Sequence, residues 1–449
     1  MGTLVKAITC LCVLVSIQAP ADEVLVKVKK TKGTRAATFS LMNAYGVRIQ
    51  KEYSLVPGLM RVDVGSDTET TKRINALIGS GYFEYVQPNS VRWPQTLENP
   101  FAVSGSVVVD PPIVFKEKTR TWVRDPKDYL NYGTSQNNTR EVWSQLGQIG
   151  SPKTVIAILD TGVDYSHEDL AANMWRNLGE VGLDAQGHAK QTNGIDDDGN
   201  GYIDDVYGYD FINKDSFPYD DHGHGTHVAG LAAAVGGNGY GTAGQCPNCS
   251  IMALKFISSE GWGTDADAIE AIEYAIKMGA TIINSSWGGT EWNQALFDAF
   301  KAASAAGVIN VVAAGNQGKN IDHDIGNQYP AEFSLPGLFT VAALYEVQGT
   351  VTWWSNYGPQ SVHLSTAGDS IYSTYPGGKF VSMSGTSMAS PGVAGCIGLI
   401  KSEMPGINFT QLEMLLKKNI IPDRRSISMV KYHGRPDMLK IIKQLRKQK

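Results

Sequence analysis

The sequence has few cysteines, no basic stripe and, after its first 21 residues, no long apolar run. Each absence excludes something. Without Lys and Arg clustered along a face, the chain has no footprint for nucleic acid, and its formal net charge of -5 is spread along its length. No segment beyond residue 21 approaches the roughly 20 apolar residues that span a bilayer, so no membrane span is expected. No internal repeat or low-complexity tract is present. Of five cysteines, Cys10 and Cys12 fall in the first 21 residues, leaving Cys246, Cys249 and Cys396. The turn Cys246-Pro-Asn-Cys249 is read as a local disulfide, since zinc would need two further ligands. Cys396, set among Ala, Gly and Ile, is read as a small buried hydrophobe. The basic end, Leu439 to Lys449, carries a stripe of Leu439, Ile441, Ile442 and Leu445 and is expected to be a solvated final helix.

What is present suggests several units. At 449 residues the chain is expected to divide into more than one domain. Residues 1–21, with one charge at Lys6, an apolar run from Leu4 to Ile17 and small residues at Ala19 and Ala21, have the form of a secretory leader. The next stretch, to Trp93, alternates at Val24–Val28 and Gly58–Val64, turns helical at Thr68–Ile78 and strand-like at Phe83–Val86, which predicts a small α+β unit. Residues 94–125 lack periodicity and are read as a linker or processing region. Beyond residue 150, apolar runs at Thr154–Leu159, Ile251–Phe256, Thr281–Asn284, Val308–Ala313 and Phe339–Leu344 alternate with helical patterns. The clearest helices, Asp265–Met278 and Trp292–Ala306, each stop before a glycine, Gly279 or Gly307. That pattern predicts an α/β domain of three layers, α/β/α, around a mostly parallel sheet, with a site at the carboxyl ends of the strands.

Three segments place reactive side chains in small surroundings. Val-Ile-Ala-Ile-Leu-Asp160-Thr-Gly delivers a carboxylate at a strand end, where it either caps the next turn or serves chemistry through an imidazole partner. Asp220-Asp-His-Gly-His224-Gly-Thr-His227-Val-Ala-Gly leads into a helix. A zinc site of His222, His224 and His227 is disfavoured there, because the helical metalloprotease spacing and its glutamate are missing. Ser384-Gly-Thr-Ser387-Met-Ala-Ser390-Pro sets Ser387 at a helix start, where a free backbone N–H can face an oxyanion. Ser390 is read as a small helical residue and Ser384 as part of the entering turn.

In the order Asp, His, Ser, these segments resemble the subtilisin family of serine proteases over residues 126 to 445. The resemblance implies a subtilisin-like catalytic domain at 126–445 in which Ser387 is nucleophile, His224 general base and acid, and Asp160 the group that orients the imidazole. It also implies that Asn316, after Val-Val-Ala-Ala-Gly, donates to the oxyanion. Extended polypeptide substrates are then expected to lie beside Gly261, Trp262 and Gly263 and beside Ser286, Trp287 and Gly288. The primary pocket would be lined by Ser286 to Gly289 and by Ala313, Ala314 and Gly315; with no acid there, it favours apolar side chains, and Trp287 is expected to narrow it. His227 stands where the dibasic-specific branch has Arg, which argues against that branch. Residues 22–93, with Val-Pro-Gly-Leu-Met-Arg-Val-Asp-Val and Glu-Tyr-Val-Gln-Pro-Asn, resemble the family's inhibitory propeptide, a ferredoxin-like α+β domain, so the chain itself is expected to hold the enzyme as a secreted zymogen.

The acidic run from Asn193 resembles the first half of an EF-hand loop. Asp196, Asp198, Asn200 and Asp204, with the Tyr202 carbonyl, are candidate calcium ligands; Tyr207 stands where the loop's glutamate belongs, and Asp205 is a substitute. By the family resemblance Asp169 is a second candidate, and calcium is expected to stabilise rather than react. Sequons stand at Asn137, Asn248, Asn284 and Asn408; Asn284 is expected to be buried and unmodified, the others open to glycans. The rival readings are an inactive subtilisin-like binding protein and an esterase with the same triad.

Overall fold

The computed structural model describes residues 22–31, 34–97, 125–323, 327–345, 349–423 and 427–447. The expected leader and most of the expected linker lie outside them. The N-terminal unit runs β1 (Glu23–Val28), α1 (Thr34–Ala44), β2 (Arg48–Glu52), β3 (Leu59–Asp63), α2 (Thr70–Gly79) and β4 (Phe83–Pro88). Its strands pair antiparallel in the order β2-β3-β1-β4. Alternation decides which way β1 looks: Val24, Val26 and Val28 join Met42 and Leu77 of the two helices, while Leu25 joins Tyr53, Val56 and Leu59 in the core of the larger domain. Sequence patterning predicted neither α1 nor β2. Only Ile49 of β2 is apolar, and α1 mixes Thr and Ser into its stripe, so neither carries a clear period. A fifth strand, β5 (Val91–Pro94), leaves the unit and crosses the larger domain.

The larger domain continues with α3 (Gly133–Gln136), α4 (Thr139–Leu146), β6 (Val155–Asp160), β7 (Gly208–Asp210), α5 (His224–Ala233), β8 (Ser250–Lys255), β9 (Gly263–Thr264), α6 (Asp265–Lys277), β10 (Ile282–Ser285), β11 (Trp287–Gly288), α7 (Gln294–Ala305), β12 (Ile309–Ala313), β13 (Leu338–Leu344) and β14 (Leu364–Ala367). A hairpin of β15 (Ile371–Tyr375) and β16 (Lys379–Met383) precedes α8 (Thr386–Glu403); α9 (Phe409–Lys418), β17 (Ile420–Pro422), β18 (Gly434–Pro436) and α10 (Met438–Arg446) complete the chain. The seven-stranded sheet has the order β14-β13-β12-β10-β6-β8-β7, and every neighbouring pair is parallel.

All six residues of β6 are buried because the sheet is covered on both faces. Ile156 and Ile158 pack with α5 and α8, whereas Val155, Ala157 and Leu159 pack with α6 and α7. Caps fix where those helices begin: the Thr264 side chain accepts from Asp267 N–H, and Asn293 accepts from Ala295 and Leu296 N–H. Chain order reverses between β6 and β10, so the crevice beyond their carboxyl ends is the topological switch point. The terminal helix differs from expectation. In α10 the stripe Ile441, Ile442 and Leu445 is buried in the core, so only its basic face is solvated.

Candidate active site

Asp160 ends β6 with no solvent exposure, and its Oδ1 lies 2.6 Å from His224 Nδ1. The same oxygen accepts the Thr161 N–H at 2.8 Å. A carboxylate so placed needs partners, because desolvation disfavours its charge. His224 opens α5 and Gly225 follows it; a Cβ on Gly225 would fall 2.1 Å from the Gly162 oxygen and 3.1 Å from Asp160 Cβ. The bare backbone therefore lets the helix start directly against the turn after β6, which carries imidazole to carboxylate. Asp220 ties down that start by accepting from Gly223 N–H at 2.7 Å, Thr226 N–H at 2.8 Å and Thr161 Oγ1 at 2.8 Å. Burial pushes its carboxyl up against these bonds. Lys255, buried at the end of β8, donates to the Thr161 and Ile257 carbonyls at 2.8 and 2.9 Å and to Asp221 at 2.6 Å. Neither Asp220 nor Lys255 was singled out from sequence, since a turn acid and a strand-end lysine carry no distinguishing pattern.

Ser387 is the second residue of α8 and is fully buried. Its Oγ donates to the Ser286 carbonyl at 2.7 Å, and His224 Nε2 is buried with no hydrogen-bond partner among the described residues. Helix geometry leaves the first N–H groups of α8 without internal acceptors; that of Ser387 donates to the carbonyl of Gln95 at 3.0 Å. Asn316 follows β12. Its Oδ1 accepts from Thr386 N–H and Oγ1, both at 2.9 Å, and its Nδ2 is buried and unpartnered among the described residues. The structure thus gathers Asp160, His224, Ser387 and Asn316 at the switch point. The other two serines bond elsewhere, Ser390 to Ser286 Oγ at 2.8 Å and Ser384 to Asp369 at 3.1 Å.

The cleft above these residues holds a piece of the same chain. Strand β5 lies antiparallel between β11 and β9, with Pro94 opposite Trp287, Trp93 opposite Gly288, Arg92 opposite Gly263 and Val91 opposite Thr264. The Gln95 N–H donates to Ser286 O at 2.9 Å and the Leu97 N–H to Ser384 O at 2.8 Å. A Cβ on Gly385 would fall 2.5 Å from the Gln95 oxygen and 2.9 Å from Thr96 Cα, so only bare backbone admits the strand this close. The expected unit boundary at residue 93 falls inside β5.

Of the expected substrate-binding residues, Gly263, Ser286, Trp287 and Gly288 meet this strand through their backbones. Pairing on the other rim falls on Gly263–Thr264, whereas the Gly261 N–H closes a turn onto Ser258 O and the Trp262 indole donates to Glu260. Trp287 does not narrow the cleft. Its ring turns into the core against Phe256 and Phe300, at centroid distances of 4.9 and 6.2 Å, because alternation along the strand points it away from the peptide. Ala313 and Ala314 are buried, and the Gly315 N–H donates to Thr386 Oγ1 at 3.0 Å, so this segment braces Thr386, which in turn holds Asn316. His227 is no zinc ligand in company with His224: its Nε2 donates toward the Ile371 and Val381 carbonyls at 3.0 and 3.1 Å, and burial pushes the imidazole down to about 3.

The candidate calcium ligands divide. Asp196 and Asp198 converge with Glu180, one oxygen of each lying within 4.8 Å of the others. Glu180 Oε1 accepts from the Asp197 and Asp198 N–H groups at 2.7 and 3.2 Å, and Oε2 is buried without a partner among the described residues. An orphaned carboxylate oxygen facing two more acids fits a hard divalent cation. Asp204, at φ +54°, receives the Gly194 N–H at 3.2 Å and stays out of the cluster, whereas Asn200 adjoins it: its Nδ2 reaches Asp198 Oδ2 at 3.4 Å and Asp205 Oδ2 at 2.9 Å, and its Oδ1 accepts the Tyr202 N–H at 2.7 Å. Glu180 lies outside the acidic run, in a short turn with no ligand-like spacing, which is why sequence missed it. Asp169 accepts from Asn238 Nδ2 at 2.8 Å and Thr242 N–H at 2.9 Å, and burial pushes its carboxyl up.

Cys246 and Cys249 form a disulfide with Cα atoms 5.4 Å apart, and Cys396 is a buried thiol pushed up to about 12 by desolvation. Asn284 is buried as expected. Asn137 corrects the expectation of an open sequon, because it is wholly buried and donates to Thr366 Oγ1 at 3.0 Å; Asn408 is exposed at the cap of α9.

Comparison with known proteins adds a family. The profile described as "Subtilase family" matches residues 151–437. The chain is 31% identical over 304 residues to Subtilisin-like protease 1 of Plasmodium berghei (strain Anka), covering 65% of this chain and 49% of that protein. It is 35% identical over 272 residues to Thermitase of Thermoactinomyces vulgaris, covering 61% of this chain and 82% of that protein. The chain therefore spans about half the length of the Plasmodium relative and most of the bacterial one. The crystal structure of fervidolysin from Fervidobacterium pennivorans, a keratinolytic enzyme related to subtilisin, superposes with a TM-score of 0.70 at 22% identity, covering 95% of this chain and 62% of that one, a likeness of fold.

Proposed function

The chain belongs to the subtilase family, and from that premise we propose that it is a serine endopeptidase, made as a secreted zymogen, whose triad is Asp160, His224 and Ser387. The observation that carries this reading is the 2.6 Å contact between the buried Asp160 carboxylate and an imidazole whose other nitrogen is unpartnered among the described residues, on a helix, α5, that packs against α8, which Ser387 heads. Ser387 Oγ rotates off the Ser286 carbonyl, gives its proton to His224 Nε2 and bonds to the scissile carbonyl carbon. The oxygen of that carbonyl gathers negative charge, which the Ser387 N–H and Asn316 Nδ2 stabilise. The carbon–nitrogen bond then breaks, and the amine leaves with the proton held by His224. Water, deprotonated by the same imidazole, hydrolyses the acyl-serine and restores the hydroxyl, so one water is consumed per bond. Asp160 holds the Nδ1 proton and stabilises the cationic ring throughout.

Extended polypeptides are the substrates this cleft suits, since β11 and β9 offer backbone to both sides of a strand. Zymogen control is supported by what the N-terminal unit does. It fills the cleft with β5 and docks through Lys27–Asp298 at 2.6 Å, Lys51–Glu270 at 2.9 Å and Arg61–Asp267 at 3.1 Å. It also lends acceptors to two helix starts: Asn89 Oδ1 takes the Ala266 N–H at 2.8 Å and Gln87 Oε1 the Gln294 N–H at 2.9 Å. A unit that satisfies those orphan donors would assist folding as well as inhibit. Glu180, Asp196 and Asp198, and separately Asp169, would hold calcium, whose charge relieves repulsion among the carboxylates and takes no part in hydrolysis. The leader pattern of residues 1–21 supports secretion, and no helix among the described residues is long and apolar enough to cross a membrane. Labelling with a fluorophosphonate probe, compared between the wild-type chain and Ser387→Ala after the N-terminal unit is removed, tests the reading. Labelling that does not depend on Ser387, or none, overturns it.

A further inference from the structure

The strand in the cleft is bound unevenly, and the unevenness has chemical content. Trp93 is 41% exposed, and the Gln95 side chain, buried at 7% exposure, donates to the Trp93 carbonyl of its own strand, 3.3 Å away. Arg92 is different. It has no exposure, and its guanidinium meets the equally unexposed Asp265 in a fork, Nε to Oδ1 at 2.6 Å and Nη2 to Oδ2 at 2.9 Å. Nη2 also donates to the Glu291 carbonyl at 3.0 Å. Room for the guanidinium comes from Gly289, where a Cβ would stand 2.7 Å from Nη1 and 3.2 Å from Cδ. Asp265 is the first residue of α6 and donates its own N–H to Ser90 O at 2.8 Å, so the socket is built on a rigid element. Burial pushes the Asp265 carboxyl up, and Arg92 foremost, with hydrogen bonds from Asn293 and Ser90, opposes that shift.

The register is set by Gln95, whose carbonyl sits on the Ser387 N–H. Counting back from it, Arg92 is the fourth residue before the bond to Thr96. We propose that Asp265 makes this enzyme select polypeptides with arginine four residues before the cut, and that Arg92-Trp93-Pro94-Gln95 is its own template. The proposal deepens the protease reading and rests on it. In the template the Gln95–Thr96 bond breaks: the Gln95 acyl group passes to Ser387, Thr96 leaves as the new amino terminus with the proton from His224, and water releases Gln95. The acid escapes a search confined to the segments lining the first pocket, because it lies beyond Gly263, at the position facing the fourth residue.

The test uses the full chain allowed to mature. Terminal sequencing of the released enzyme is expected to read Thr96 first. Internally quenched peptides Arg-Trp-Pro-Gln-Thr-Leu and Ala-Trp-Pro-Gln-Thr-Leu are then compared at matched, fluorophosphonate-titrated enzyme. The arginine peptide should have the larger kcat/KM, on the order of 100-fold, since it forms a buried, forked charge pair that the alanine peptide leaves unpaired. Asp265→Asn should shrink the ratio below about 10-fold. Where that variant fails to mature because Arg92 is left unpaired, the double variant Arg92→Leu with Asp265→Leu, which removes both charges, should mature and prefer leucine to arginine at the same place. An enzyme that labels fully and cuts both peptides alike overturns the proposal and leaves the protease reading standing. One that neither labels nor cuts brings down both.

Discussion

Replacing Asn316 by leucine, which has nearly the same shape, removes a side-chain donor that the proposed mechanism assigns to the developing oxyanion. The Gln95 oxygen takes the Ser387 N–H at 3.0 Å, whereas Asn316 Nδ2 has no partner among the described residues although its Oδ1 is anchored twice by Thr386. The amide is fixed at its oxygen and its nitrogen is free in the ground state, so under the proposed mechanism its contribution should arise only as the oxygen becomes charged. An interaction confined to the transition state is lost from kcat and not from KM. Removing one such donor costs about 2.7–4 kcal/mol, a fall in kcat of roughly 100- to 1000-fold. KM should stay within about twofold. Thr386→Val is a graded companion: it keeps the backbone anchor of Oδ1 and deletes the hydroxyl one, also robbing the Gly315 N–H of its acceptor. Loss of one neutral hydrogen bond of about 1 kcal/mol predicts a fall near fivefold. Both are read by initial rates over a range of peptide concentrations, with thermal unfolding to establish that each variant is folded. A folded Asn316→Leu enzyme with kcat within threefold of wild type, or with its loss carried by KM, would refute the reasoning.

Protonation offers a second measurement. His227 is buried and held down to about 3 by desolvation, against an ordinary value near 6.5. The unfolded chain therefore binds a proton below about pH 6.5 that the folded chain refuses, so the stability contribution is complete above pH 6.5 and is lost as pH falls toward 3, by at most about 1.4 kcal/mol per unit. Because His363 is likewise held down to about 3 by burial, urea unfolding at pH 5, 6 and 7 should show a steeper slope in the wild-type chain than in His227→Gln, the difference being His227's share; equal slopes would exclude His227 as a source. Calcium removal by a chelator should lower the melting temperature, and Glu180→Gln, which keeps both hydrogen bonds to Oε1 within reach but withdraws a negative charge from the cluster with Asp196 and Asp198, should blunt that response. An unaltered calcium response would remove Glu180 from the site.

Much of this chain was legible from residues alone, because the features concerned are local. The strands β6, β8, β10, β12 and β13 stood out as continuous apolar runs since a parallel sheet is covered on both faces. The glycines that end α6 and α7 were visible for their left-handed backbone, φ +80° at Gly279 and +83° at Gly307. Asp160, His224, Ser387 and Asn316 each sit in a contiguous motif, so the candidate site could be assembled from short segments before any distance was known. Sequence by itself determined the α/β architecture and the α+β character of the unit before it, and it singled out those four residues as candidates. Tertiary structure decided the rest. It turned the Trp287 ring into the core, brought Glu180 to Asp196 and Asp198 and left Asp204 outside, buried Asn137 and laid Arg92 against Asp265. Those outcomes depend on pairings between distant residues, 173 positions apart for Arg92 and Asp265 and 229 for Asn137 and Thr366. A one-dimensional pattern records the period of a strand or a cap. It does not record which distant strand or helix will supply the opposite charge once the sheet closes.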